Sequence, residues 1–548
     1  MDRDPEKAST QSGDAEAAED ASSIVFSPIQ SRTRRPSLTA SRRTSRSDTL
    51  SRAWSQNGYG CEDDQEAAAE ESAPAEKDPF EVAFDNGDED PLCPRSFARV
   101  RKWTIVLIVS MASFCVTAAS SIYTSTYAQM EAEFHNSRIV STLGLSLFVL
   151  GISLGPMFLS PLSEFYGRRP IYLVSWSMYV VWIVPQAVAN NIATVLVARF
   201  LDGFAGSAFL AVSGGTVGDL FARHELQAPM LMFSLAPFVG PSIGPLIGGF
   251  INYNVDWRWT YYVLLIWAAA ILVSIVFLVP ETYHPILVRN KARKMRKETS
   301  DERWQAPNEK VQKSVLHAVG HSLLKPFELL IFEPMCLNLC IFSAILLGIL
   351  YLFFGAFPLV FRDVYGFNLW QVGLTFLGIL IGMLLAACLD PVWYNTRARL
   401  MANLGAATGV DGASEPEFRL PPAILGSVLV PAGIFMFGWS SYSWVHWIVP
   451  VIGSAIFGAG TLLVFSGVFT FLVDAYPQYA ASALAANAFV RCSFAAAFPL
   501  FGTQMYGKLG IQWASSLLAF LTVAMMPFPY LFFRYGKRIR AKSRFAKS

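Results

Sequence analysis

From residue 103 onward the chain runs in apolar stretches of about twenty residues, parted by short polar breaks. A bilayer core about 30 Å thick needs roughly 20 helical residues to cross it. Lipid offers no partners to an open backbone, so such stretches are expected to be helices. The expected spans are 103–123, 138–160, 170–189, 192–213, 228–250, 258–279, 334–358, 371–389, 421–439, 447–471, 482–504 and 512–533. Between the sixth and the seventh lies a polar segment, 280–333, with Arg289, Lys291, Arg293, Lys294, Arg296 and Lys297. The pattern predicts an all-α membrane protein: a tail 1–94, a first half 95–279, a central loop 280–333, a second half 334–533 and a basic tail 534–548. Two six-helix halves around a loop suggest a secondary transporter of the rocker-switch kind.

Composition agrees. Of 548 residues, 53% are hydrophobic and 15% charged, against roughly 25% charged in soluble chains. Residues 1–94 hold 21 acidic and 10 basic side chains, and the remainder 20 and 33. An acidic, Ser/Ala-rich tail of this kind is expected to be disordered. The long apolar body excludes a wholly disordered chain, a secreted disulfide scaffold and a nucleic-acid binder. With the N-terminus inside, the inner segments from Arg95 on carry 27 Lys and Arg, and the outer loops only Arg138, Arg258, Arg362 and Lys508. The positive-inside rule then places both termini and the central loop in the cytoplasm. The start of the chain is acidic with no apolar core, so no cleavable signal peptide is expected and the first span targets the protein.

The seven cysteines form no CxxC and no Cys/His spacing, so no metal and no disulfide framework is expected. No GxxxxGK[ST] loop appears, so the energy source is an ion gradient rather than a bound cofactor. No nucleophile–base set is visible, and an enzyme is not expected. In the tail, Ser37 and Ser45 follow arginine pairs within an Arg/Ser block at 31–54. They are candidate sites for a basophilic kinase, whose phosphate would offset local charge. A block basic by composition alone is the other reading.

Four stretches carry mechanism. The loop after the second span reads Ser160-Pro161-Leu162-Ser163-Glu164-Phe165-Tyr166-Gly167-Arg168-Arg169. Gly167 permits a tight reversal, and Glu164, Arg168 and Arg169 are candidates for a charge lock on the inner gate. In the fourth span, Arg199 and Asp202 lie three apart, on one helix face, and are expected to pair. Charges at mid-membrane are costly and read as functional. In the fifth span, Gly240, Gly244 and Gly248 share a face suited to close helix approach. Pro241 and Pro245 remove backbone donors and are expected to kink the helix, and Gly249 ends the run. In the eleventh span, Arg491 is a second mid-membrane cation, open to a substrate-anion role or a gate role. Tyr351 and Phe354 in the seventh span are candidate cavity residues. Aromatic stripes such as these, and Trp176, Tyr179 and Trp182 in the third span, are more often packing.

Together these stretches resemble the signature motifs of the major facilitator superfamily, and most closely its fungal twelve-span drug:proton antiporters. The branch with polyamine, mycophenolate and fluconazole-resistance exporters matches best. Supporting stretches are Pro280-Glu281-Thr282-Tyr283, His446-Trp447-Ile448-Val449-Pro450 and Asp474-Ala475-Tyr476-Pro477. The resemblance covers about 95–548 and implies the major facilitator fold, with 12 transmembrane helices in two pseudo-symmetric halves. It gives Arg199 a role in proton coupling and marks the proline–glycine run of the fifth span as an antiporter motif. Departures are Ser160 where the family has glycine, Phe165 where it has a basic residue, and Asp202 where it has glutamine. Asp202 is the only carboxylate deep within the expected spans. Burial favours its neutral form and a nearby arginine its charged form, so a moving Arg199 would switch it. A static ion pair that eases insertion is the alternative.

The expected function is export of hydrophobic or amphiphilic small molecules in exchange for protons. Polyamine export ranks lower, because polycations want several acids in the cavity. Proton-driven nutrient uptake and a non-transporting receptor are further alternatives. The expected partners are a small-molecule substrate and the lipid bilayer, with no nucleic acid, and a monomer is the expected state. The plasma membrane is the expected location, and the vacuolar membrane the alternative.

Overall fold

The computed structural model describes residues 80–85, 90–222, 225–310, 315–408, 414–541 and 543–546. Ser37, Ser45 and Cys61 lie outside the described residues.

Ten runs among the described residues are long and apolar enough to cross a membrane. One of them, Ala480–Arg540, is 61 residues long and contains two crossings. It breaks at Gly510, whose φ of 76° lies in the left-handed region that glycine tolerates. Helix Arg168–Ala187, 20 residues long, is the twelfth crossing. It falls outside the ten because Arg168, Arg169, Gln186 and its tyrosines dilute its hydropathy.

Spans one to three are Arg99–Ile122, Arg138–Tyr166 and Arg168–Ala187. Span four starts as Ile192–Gly206 and continues through Ala208–Ala211 and Ser213–Leu220. Asn191 caps it by accepting a hydrogen bond from the Thr194 amide. Spans five and six are Gln227–Asn254 and Arg258–Leu278. Span seven is Pro334–Phe357, and span eight runs from Leu369–Thr375 through Leu377–Cys388. Spans nine and ten are Pro421–Ser440 and Ile448–Ala475. Span eleven covers 480–509, and span twelve 511–525 with its extension Pro527–Arg540.

The two halves repeat one packing scheme. Span one packs on span five and span seven on span eleven; span two packs on span four and span eight on span ten. The halves meet along two seams, span two against span eleven and span five against span eight. The turn between spans two and three, the central loop and the end of span twelve share one end of the bundle, the basic end. At the far end Glu133 accepts hydrogen bonds from Trp257 Nε1 at 2.7 Å and Arg258 Nη1 at 3.0 Å.

The central segment is more ordered than a polar loop. His284–Thr299 forms a connector helix, and Val315–Phe332 a surface helix. The surface helix packs against spans two and eleven, one from each half, and Phe327 meets Phe489 edge-on. Residues 80–85 and 90–93 also correct the expectation of a structureless tail reaching residue 94. Val82 packs on Ala292 and Ala306, and Phe80 sits edge-on to Trp304. Lys291 Nζ binds the Ala83 carbonyl at 3.0 Å and the Asp85 carboxylate at 2.7 Å. Hydrogen bonds from the Leu92 and Asp85 amides hold the Asp90 carboxyl below the usual carboxylate range. The apolar residues Phe80, Val82 and Phe84, amid a run of acids, form a latch onto the connector.

Candidate functional site

The centre of the first half is built around Arg199. Close contact of spans two and four places it there. Gly203 lies against the Phe148 carbonyl, and Gly151 against the backbone of Phe200 and Phe204. The Arg199 guanidinium is clamped between the rings of Phe148 and Tyr123, 4.2 Å and 4.5 Å from their centroids. It donates to two carbonyls of span one, Ala119 at 2.9 Å and Ser120 at 3.2 Å.

Asp202 is 1% exposed and turns to span three. Its Oδ2 accepts from Gln186 Nε2 at 2.9 Å. Its Oδ1 is buried with no hydrogen-bond partner among the described residues. Arg199 and Asp202 therefore do not form the expected ion pair. They share a helix face, but the long arginine reaches carbonyls of span one that helical spacing alone does not reveal. One is a buried cation on carbonyl dipoles, the other a buried acid with one oxygen unpartnered among the described residues.

Span one links this centre to its surroundings. Ser120 Oγ lies 2.9 Å from the Tyr351 hydroxyl on span seven, in the other half. The glycines of span five press on the same segment. A Cβ at Gly244 would lie 2.6 Å from the Ala118 carbonyl oxygen and 2.8 Å from the Ile122 amide nitrogen. One at Gly240 would strike Thr117, and one at Gly248 would lie 2.9 Å from the Ile122 carbonyl oxygen. Span five is one unbroken helix despite Pro237, Pro241 and Pro245. Beyond them, Gly249 lies against Leu369 and Trp370, and the Pro245 carbonyl against Gly373, both on the seam with span eight. Residues 117–122 therefore touch spans four, five and seven.

The loop residues form a network at the basic end. Gly167, with φ 100°, makes the turn. Arg168 Nε pairs with Asp219 of span four at 3.3 Å, both side chains nearly inaccessible. Arg168 Nη1 donates to Ser163 Oγ at 2.8 Å, and the guanidinium stacks on Tyr283 at 4.7 Å. Glu281 caps the third span, accepting from the Arg168 and Arg169 amides at 2.9 Å and 3.1 Å. Arg169 Nη2 donates to the Val276 carbonyl. Glu164 lies close enough to act electrostatically on Arg168. The partners that sequence spacing missed are Asp219 in span four and Glu281 in the stretch between span six and the connector helix, and only the fold brings them to Arg168. Removing one member of a buried pair leaves an uncompensated charge, a loss of about 3 kcal/mol or more. Asp219→Asn is expected to lower the thermal unfolding midpoint of the detergent-purified protein. An unchanged midpoint would show that the pair does not hold this end together.

Among the cavity candidates, Tyr351 and Phe354 meet edge-on at 5.2 Å. Phe354 lines a small cleft toward the far end with Thr124, Tyr127, Arg138, Pro499 and Thr503, drawn from both halves. The other aromatics are packing. Phe353 meets Phe437 at a tilt and Phe457 edge-on, and Trp176 donates to the Ala268 carbonyl while stacking on Tyr179. Arg491 lies among Phe238, Phe465 and Phe469.

This arrangement has relatives. The Major Facilitator Superfamily model matches residues 109–499. Efflux pump atB of Aspergillus terreus is 54% identical over 474 residues, 86% of this chain and 91% of that one. The probable drug/proton antiporter YHK8 of Saccharomyces cerevisiae is 43% identical over the same shares of both chains. In fold, the chain is similar to the xylose transporter XylE of E. coli in a partially occluded inward-open conformation. The TM-score is 0.54 at 16% identity, with 79% of this chain and 99% of XylE covered. Twelve crossings in two repeated halves, the span-five glycine run against span one and these matches agree: the chain belongs to the major facilitator superfamily, among its fungal efflux pumps and drug/proton antiporters.

Proposed function

We propose that the protein exports hydrophobic or amphiphilic small molecules by alternating access, driven by protons moving inward. The carrying observation is the divided pair in span four: an acid with one unpartnered oxygen, and a cation held only by carbonyls and ring faces. With Asp202 protonated, the arginine rests on span one. When the proton leaves, the new negative charge one helical turn away draws the guanidinium toward it. That frees the carbonyls of Ala119 and Ser120 and loosens the segment that touches spans five and seven. A proton event is thereby passed to span five, which lies on one seam, and to span seven across the halves. Arg199 and Asp202 carry the coupling; Glu164, Gly167, Arg168 and Arg169 belong to the gate at the basic end. No cofactor beyond the proton gradient enters this scheme.

The excess of Lys and Arg at the basic end supports a cytoplasmic position for that end and both termini. The names of the relatives, efflux pump and drug/proton antiporter, support outward transport, for which the plasma membrane is the natural location. Polyamine export is less well supported, since Asp202 is the only acid buried at mid-span among the described residues. The test is accumulation of a fluorescent neutral amphiphile in yeast stripped of its own exporters. Lower accumulation that a protonophore abolishes is the expected result. Raised accumulation would overturn export, and indifference to the protonophore would overturn proton coupling.

A further inference from the structure

We infer that Arg491 is an anion-recognising group in the substrate path, and that the cargo it suits is a flat organic anion, an aromatic or conjugated carboxylate. This deepens the export reading and rests on it. The three arginines that are buried among the described residues have polar partners. Arg168 has Asp219, Arg540 has the Glu417 carboxylate at 2.9 Å through both Nε and Nη2, and Arg199 has two carbonyls. Arg491 differs. No hydrogen bond or ion pair reaches its guanidinium among the described residues, and its Nε is buried and unmatched. The charge is held by ring faces alone, with centroids at 4.9 Å for Phe469, 5.4 Å for Phe465 and 5.9 Å for Phe238.

Ring quadrupoles recover only part of what a guanidinium loses on leaving water. The guanidinium therefore has donors with no protein partner among the described residues, which an anion would satisfy. The side chain is partly exposed, so an anion can reach it. The rings favour one shape of anion. Phe238 and Phe465 stack at 5.0 Å with their planes 20° apart, and Phe465 and Phe469 at 5.7 Å with planes 11° apart. Near-parallel faces beside a planar cation suit a planar ligand with a carboxylate at one end.

The placement is suited to transport. Phe238 comes from span five of the first half, and Arg491 with Phe465 and Phe469 from the second. An occupant there touches both halves. Arg491 also lies within electrostatic reach of Tyr351, whose hydroxyl meets Ser120, the residue whose carbonyl holds Arg199. Anion site and proton site therefore share one neighbour.

The test compares 2-naphthoate with 2-naphthamide, one ring system with and without the charge, on the full-length purified protein. A charge-assisted contact predicts binding of the carboxylate about tenfold or more tighter than the amide. Arg491→Met is expected to erase that preference, and Arg491→Lys to keep part of it. Equal binding of the two probes by the unaltered protein, or no binding of naphthoate, would overturn the inference without any variant having to fold. So would a preference that survives in Arg491→Met. A gate role alone would slow transport of both probes and leave their binding ratio unchanged, which also overturns it. The export reading fails separately: naphthoate preference with protonophore-insensitive transport sinks the coupling and spares the site. Proton-driven export of neutral probes with no naphthoate preference does the reverse.

Discussion

Asp202→Asn is expected to bring proton-driven transport to background while leaving substrate binding in place. Asparagine keeps the size of the side chain and can still accept from Gln186, which now bonds Oδ2 at 2.9 Å. It cannot release a proton, so the charge that draws Arg199 off the Ala119 and Ser120 carbonyls never appears. The protein should remain folded, since the change removes the cost of ever holding a buried carboxylate charge. The measurement is counterflow against gradient-driven uptake in liposomes. Exchange of labelled for unlabelled substrate needs no net proton movement and should persist, whereas uptake driven by an imposed pH gradient should vanish. Gradient-driven uptake at the unaltered rate would return Asp202 to a passive role.

Gly244→Ala is the second large effect. The new methyl would lie 2.6 Å from a carbonyl oxygen and 2.8 Å from an amide nitrogen of span one. Both are backbone atoms, so relief requires the helices to part rather than a side chain to turn. Overpacking of this kind costs about 1–3 kcal/mol in stability. Function should suffer more than stability, because the displaced segment is the one that holds Arg199 and meets Tyr351. A loss of most transport activity with protein still at the membrane is expected. Gly507→Ala in span eleven is the control, since nothing lies within 4 Å of its added methyl. Equal losses from both substitutions would refute the close-approach account.

The crossings were legible because lipid imposes a length and a polarity on each helix, and the runs obey both. Span three is the instructive case: Arg168, Arg169 and Gln186 weaken its apolar signal, yet it was identifiable from the breaks at Gly167 and Asn190-Asn191. The latch was hidden by its neighbours, because Phe80, Val82 and Phe84 sit in a stretch whose average is acidic. In the site, residue types and positions were readable and partners were not. Helical spacing put Arg199 and Asp202 on one face; it carried no information on the carbonyls of span one or on Gln186 of span three. Likewise Arg168 stood out in its loop, while Asp219 and Glu281, more than fifty residues away, reach it only through tertiary packing. The glycines of span five were the exception, since a stripe of absent side chains announces a close neighbour without naming it.

The single-glycine turns at Gly167 and Gly510 restrict how the bundle can move. Each joins a span that lies on a seam between the halves, span two or span eleven, to the next span with no slack chain between them. Two helices tied so tightly can alter their crossing angle at the knot. They cannot slip past each other by a helical turn of about 5.4 Å, as a ratchet would require. Spans two and three, and spans eleven and twelve, are thus rigid hairpins. Their contribution to a transport cycle is tilting, and an epitope inserted at either knot would meet no spare chain to absorb it.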